Sequence, residues 1–153
     1  MIFRDRKHPP HLTPLDHHAV VLLLTVCTQN RRKILAPEWV HQLIRRSWIR
    51  CDDFPVGRYV IMPDHIHAFV GENSSTSLQL VNWVAAWKSF VSLRWPSPKH
   101  KPIWQRSFWD RQIRSSDGYD QKWLYVRNNP VRHGFVKDPD DWPFQGSMNI
   151  LSW

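Results

Sequence analysis

The ten residues "IMPDHIHAFV", 61–70, carry two histidines, His65 and His67, with a single isoleucine between them inside an apolar run. Successive side chains of a strand point to opposite faces, so a strand here sets His65 and His67 on one face and Ile66 with Ala68 on the other. A second β-prone run, "GRYVIM" (57–62), ends only two residues earlier, at Pro63-Asp64. A two-residue turn pairs Met62 with His65 and Val60 with His67, and sets Tyr59 and Ile61 beside Ile66. Pro-Asp is not a favoured dipeptide for tight hairpins, so the register rests more on the alternation than on the turn.

Working outward, "AVVLLLTVCT" (19–28) reads as a buried strand. Pro37 suits the first turn of a helix. The segment after it, "EWVHQLIRRSWIR" (38–50), places Val40, Leu43, Ile44, Ser47 and Trp48 on one stripe. Thr76 with Gln79 fits a capping box, opening a helix with Leu80, Val84, Trp87 and Val91 on one face and Pro96 beyond its end. "SFWDRQIR" (107–114) alternates as a strand. Asp117 is placed to cap a last helix, "GYDQKWLYVRN" (118–128), which Pro130 stops. His133-Gly134 reads as a turn, and "GFVKDPDDWPF" (134–144) as an irregular tail that packs through Trp142 and Phe144.

The order β-α-β-β-α-β-α defines an α+β protein. It is the ferredoxin-like βαββαβ pattern, an antiparallel sheet with helices on one face and the other left free, plus an additional C-terminal helix. Residues 1–18, rich in Pro and His, read as a flexible arm, and 19–153 as a single domain.

Lys and Arg number 21 against 13 Asp and Glu, a formal charge of +8, which points to a polyanionic partner. Ten tryptophans exceed what a small core easily hides, and exposed aromatics among cations are what single-strand binders use to stack bases. Two cysteines without paired spacing, Cys27 and Cys51, argue against a disulfide framework and fit a reducing cytosol. With a DNA partner the expected location is cytoplasmic and nucleoid-associated. No apolar run reaches spanning length, so no membrane partner is expected.

Two neutral imidazoles on one strand face can reach a single metal ion. A bare H-x-H is more often two satisfied strand histidines, and a metal needs a third donor. Cys51 and Asp64 are near in sequence only, and no tetrahedral set supports a structural zinc site. "WQRSFWDRQIR" (104–114) sets Trp104, Phe108 and Trp109 among Arg106, Arg111 and Arg114, alternating stacking platforms and phosphate partners that suit a splayed strand. The other reading is a strand with core aromatics and solvated arginines, and for Phe108 and Trp109 individually that reading leads. "NRRK" (30–33) offers Arg31 and Arg32 as phosphate anchors.

Five segments in order, "TVCTQNRRKIL", "YVIMPDHIHAFV", "IWQRSFWDRQIR", "YVRNNPVRHGFV" and "DWPF", resemble the REP-associated tyrosine transposases of the wider HUH single-tyrosine transposase family. The resemblance spans about residues 19–147. It implies a ferredoxin-like domain that cuts and rejoins single-stranded DNA beside hairpins, as a monomer or homodimer. It places the nucleophile at Tyr125, in a helix before Asn-Pro, and a third metal ligand beside His65 and His67 at Asn129. Asn129 precedes proline at a helix end and has capping as its other reading. The ion implied is Mg²⁺ or Mn²⁺, and the product a 5′-phosphotyrosine with a free 3′-hydroxyl. A phenol keeps its proton at neutral pH, so Tyr125 needs help from the metal or from a nearby Arg or Lys. Tyr59 and Tyr119 read as structural. The alternative function is a catalytically silent protein of the same fold that binds DNA hairpins.

Overall fold

A computed structural model describes residues 20–72 and 79–151. The N-terminal arm and Thr76 of the expected capping box lie outside them. The elements run β1 (Val20–Cys27), α1 (Glu38–Arg50), β2 (Val56–Met62), β3 (His65–Glu72), α2 (Leu80–Arg94), β4 (Trp109–Ile113), α3 (Ser116–Arg127), a short α4 (Asn129–Arg132) and β5 (Gln145–Ser147). The strands form one sheet in the order β4-β1-β3-β2-β5, every neighbouring pair antiparallel. Its first four strands follow the ferredoxin-like order. Among the described residues no helix is long and apolar enough to cross a membrane.

The hairpin of β2 and β3 takes the register read from the alternation: Met62 opposite His65, Ile61 opposite Ile66, Val60 opposite His67. Neither Pro63 nor Asp64 has a positive φ. The turn is instead tied from outside. Thr28 donates its amide to the Asp64 carbonyl at 3.0 Å, and the Leu35 amide bonds the Pro63 carbonyl at 2.9 Å. Neighbouring chain supplies what a poor turn dipeptide lacks.

Ile66, Ala68 and Val70 of β3 join Leu22, Leu24 and Val26 of β1 and Tyr59 and Ile61 of β2 in the main core. This layer is closed by Val40, Leu43, Ile44 and Trp48 of α1 and by Trp83, Val84, Trp87 and Val91 of α2. Both helices bury the stripes their periodicity sets out. His41 is buried with them, because the Tyr59 hydroxyl gives it a 2.7 Å partner.

The far face is not free. Val21, Val60, Met62, Phe69 and Ile113 form a second apolar cluster, closed by Tyr119, Trp123 and Val126 of α3. Tyr119 stacks edge-on against Phe69 with centroids 4.6 Å apart. The expectation of one bare face fails because half of that face is apolar and needs cover. Ser115, not Asp117, caps α3, its side chain accepting from the Gly118 amide at 3.0 Å. Pro130 does not simply end the helix. α3 stops at Arg127 and α4 restarts at Asn129, with Pro130 in the first turn where its missing N–H is harmless.

The tail packs as expected through Trp142, which is buried and donates to the Ile61 carbonyl at 3.0 Å, and through Phe144, which touches both clusters. It also adds β5, a strand of Gln, Gly and Ser that no propensity would mark. Pairing with β2 creates it, and Gly146 is required, since a Cβ there would stand 2.8 Å from the Tyr59 hydroxyl.

Ile66 is 1% exposed and sits between the two histidines on the helix side. Ile66→Ala should lower unfolding free energy by about 2–5 kcal/mol in urea. An unchanged midpoint would contradict the assigned face.

Candidate active site

His65 and His67 project from β3 onto the far face, their ring centroids 4.8 Å apart. His65 is buried and His67 half-buried. The Asp64 carboxylate meets His65 Nδ1 at 2.7 Å. Arg31 Nε donates to the other Asp64 oxygen at 3.1 Å. An Arg31 terminal nitrogen also lies 3.4 Å from His65 Nδ1. Both are donors when Nδ1 bears the proton, so the Asp64 contacts are the bonding ones. A carboxylate on Nδ1 fixes the tautomer and leaves Nε2 unprotonated, as the acceptor or ligand nitrogen. Arg31 reaches this position because Asn30 and Arg31 take left-handed backbone angles, φ 59° and 53°, which turn the chain back toward Asp64.

Electrostatics favour uncharged rings. Burial lowers the pKa of His65, outweighing the raising effect of Asp64. His67 is pulled down to about 3, by burial first and then by His65, Arg132 and Arg31. Burial opposes ionisation of Asp64, but its hydrogen bond with His65 and the Arg31 charge hold its carboxyl below the usual range. With His65 neutral, the contact with Asp64 is a hydrogen bond and not an ion pair. On His67, Nδ1 lies 3.0 Å from the Thr25 hydroxyl of the neighbouring strand.

Asn129 closes the cluster. It is 4% exposed, and its side-chain amide nitrogen is 3.2 Å from His65 Nε2. The capping role belongs to its neighbour, Asn128, whose side chain bonds the Leu124 carbonyl at 2.9 Å. The three proposed metal ligands therefore divide into a pair in contact, His65 and Asn129, and His67 ring-to-ring with His65. Cys51 is elsewhere, at the end of α1 under the helical layer. Among the described residues, no group of three His, Cys, Asp or Glu is placed to share an ion. A site here depends on the Asn129 amide as its oxygen donor.

Tyr125 lies on α3, 61% exposed, beside a cleft of about 520 Å³. Leu23 and Thr25 of β1, Trp109 and Arg111 of β4, and Lys122 also line it. The Arg132 guanidinium sits over the Tyr125 ring, 3.8 Å from its centroid. Thr25 thus touches both halves of the site, bonding His67 and lining the cleft of Tyr125. Tyr59 points from β2 into the core beneath α1 and α2, and Tyr119 packs on the far face of the sheet.

The proposed DNA contacts separate sharply. Arg31 and Arg111 border the site. Arg106 and Arg114 are exposed, but Arg106 borders a different hollow and Arg114 follows the end of β4 distant from His65. Two of the expectations are corrected. Trp104 is 7% exposed, edge-on to Trp87 at 5.5 Å, with its indole N–H on the Lys88 carbonyl, so no base can stack on it. Arg32 turns inward to the carbonyls of Lys99, His100 and Pro102, at 3.2, 2.6 and 2.5 Å, and so pins a loop. Trp109, read as core, is 43% exposed. The sequence reading missed Thr25 and Arg132. Arg132 stands seven residues after Tyr125, a same-face spacing hidden by the assumption that Pro130 ends the helix.

The model of the family described as "Transposase IS200 like" matches residues 17–123, stopping just short of Tyr125. A REP-associated tyrosine transposase of Escherichia coli K12 is 32% identical over 127 residues, covering 78% of this chain and 72% of that protein. A putative REP-associated tyrosine transposase of Haemophilus influenzae is 25% identical over 133 residues, covering 78% and 75%. Among solved structures, a REP-associated tyrosine transposase bound to a REP hairpin superposes with a TM-score of 0.71 at 26% identity, over 90% of this chain and 82% of that one. A putative transposase from Deinococcus radiodurans shares the fold, with a TM-score of 0.54 at 18% identity over 77% and 97%. On these matches the chain belongs to the IS200-like transposase family, and within it to the REP-associated tyrosine transposases.

Proposed function

We propose that this protein is a metal-dependent endonuclease and strand transferase acting on single-stranded DNA beside hairpins. One observation carries the reading: Asn129, just past the helix of Tyr125, meets His65 across 64 residues of sequence. The chain thereby gathers a tyrosine, two uncharged imidazoles and a buried amide at one end of the sheet. The solved relative bound to a REP hairpin supports DNA hairpins as the partner.

The residues fit a divalent ion. His65 has its tautomer set by Asp64, His67 is backed by Thr25, and Asn129 is a buried polar group whose amide can turn its oxygen outward. Three such donors suit Mg²⁺ or Mn²⁺, with imidazole favouring Mn²⁺. When bound, the ion supplies Lewis-acid polarisation of the scissile phosphate. Tyr125 supplies the nucleophile. Its oxygen bonds to phosphorus while the bond from phosphorus to the 3′-oxygen breaks, leaving a 5′-phosphotyrosine and a 3′-hydroxyl that takes up a proton. Arg132 over the ring and Lys122 in the same cleft stabilise the phenolate during attack. The ester keeps the phosphodiester energy, so a 3′-hydroxyl can reverse the step and join strands.

Cleavage of a labelled hairpin with single-stranded flanks, taken from DNA beside the protein's own gene, tests this. With Mn²⁺ the wild type should cut, and His65→Ala or His67→Ala should each slow cutting by about 100-fold or more. Hairpin affinity should change little, and EDTA should mimic both variants. Cutting that persists in EDTA would refute the metal role. Binding without any cutting would make the protein a hairpin-binding regulator.

The charge of +8 adds a second expectation. Affinity should fall steeply with added salt, because counterions released by phosphate contacts gain less entropy in a more concentrated solution, and flanked hairpins should outcompete plain duplex in anisotropy titrations. Equal duplex binding, or no salt slope, would contradict the assigned partner.

A further inference from the structure

The cleft beside Tyr125 has a wall the proposed cleavage chemistry does not use. Trp109 is on β4, the edge strand, paired in register with Thr25. Six other tryptophans, Trp48, Trp83, Trp87, Trp95, Trp104 and Trp142, are buried, whereas Trp109 leaves 43% of its surface in water. It shares the cleft with Tyr125, and the apolar Leu23 and the Thr25 hydroxyl are beside it. Arg111, two residues on and on the same strand face, and Lys122 of α3 add two cations to the lining. At about 520 Å³ the space is of the size that takes one small planar ligand.

A half-exposed indole, an apolar neighbour and two cations in one lining form a combination that suits one chemical class. An unpaired nucleobase stacks on the ring while its flanking phosphates meet Arg111 and Lys122. A duplex base pair is too broad and has no free face to offer. We propose that Trp109 is a positioning residue that stacks one unpaired base next to the scissile phosphate and so sets the phosphate against Tyr125. This rests on the reading of Tyr125 as nucleophile for its consequence, but the stacking itself is measurable without cleavage.

The test uses the same flanked hairpin in EDTA, so that no cutting intervenes. Each flanking nucleotide is replaced in turn by an abasic site, and affinity is read by fluorescence anisotropy for the wild type, Trp109→Ala and Trp109→Phe. One position should show about a tenfold abasic penalty with the wild type, the size of a single base–aromatic stack. Trp109→Ala should weaken binding of intact DNA by a similar factor and lose sensitivity at that one position, while Trp109→Phe retains most of both. With Mn²⁺, Trp109→Ala should slow cutting of bound DNA further, an effect a merely structural residue at this exposed position would not produce. The proposal is overturned if no abasic position loses its penalty in Trp109→Ala, or if that variant binds intact DNA like the wild type. Abasic sensitivity that tracks Trp109 in a protein that never cuts would instead retain the stacking subsite and remove the cleavage reading alone.

Discussion

Everything at the site depends on the register between β2 and β3. Side chains of a strand alternate with period two, so a slip of one residue would exchange the faces completely. Both histidines would then lie beneath α1 and α2, and Ile66 and Ala68 would face the cleft. The register is held by a turn that is weak in itself and tied by Thr28 and Leu35 from the neighbouring chain. The same Thr28–Arg32 segment delivers Arg31 to Asp64, and Asp64 in turn orients His65. Turn, register and imidazole tautomer are thus one connected set of hydrogen bonds.

The far face of the sheet is divided by this arrangement. At one end Val21, Phe69 and Ile113 are apolar, and they recruit α3 through Tyr119, Trp123 and Val126. At the other end the imidazoles and Thr25 bring polar groups onto the face, with Val60 and Met62 of β2 opposite them. A twelve-residue helix rises about 18 Å. Starting just after Ile113, α3 therefore carries Tyr125 and then Asn129 across to the histidine end. Hydrophobic burial at one end sets where Tyr125 and Asn129 fall at the other.

The parts legible in the sequence were those set by periodicity. The period-two pattern of 57–70 gave the hairpin register, and the 3.6-residue stripes gave α1 and α2. The family resemblance pointed to Tyr125 and Asn129; Asn129 meets His65, and Tyr125 lines a cleft with Thr25, which bonds His67. What stayed hidden depended on partners. The triplet Gln145–Ser147 is a strand only because β2 has an open edge. Trp104 and Trp109 are five residues apart in the same aromatic-basic run, yet Trp104 packs on Trp87 while Trp109 meets solvent, and composition cannot tell them apart. Arg32 looked like a phosphate anchor beside Arg31, but three loop carbonyls claim its guanidinium. A charge in sequence does not say whether its head group faces water or main chain.

If Tyr125 is the nucleophile, DNA becomes esterified to its side chain, and mass mapping identifies the modified residue. The wild type is incubated with Mn²⁺ and the flanked hairpin, denatured and digested with trypsin, and the DNA-bearing peptide is sequenced by mass spectrometry. Cleavage after Lys122 and Arg127 isolates residues 123–127, in which Tyr125 is the only tyrosine. The expected result is the 5′-phosphorylated strand attached to that peptide. DNA attached to the peptide of Tyr59 or Tyr119, or no adduct on a hairpin that the protein cuts, would contradict the account.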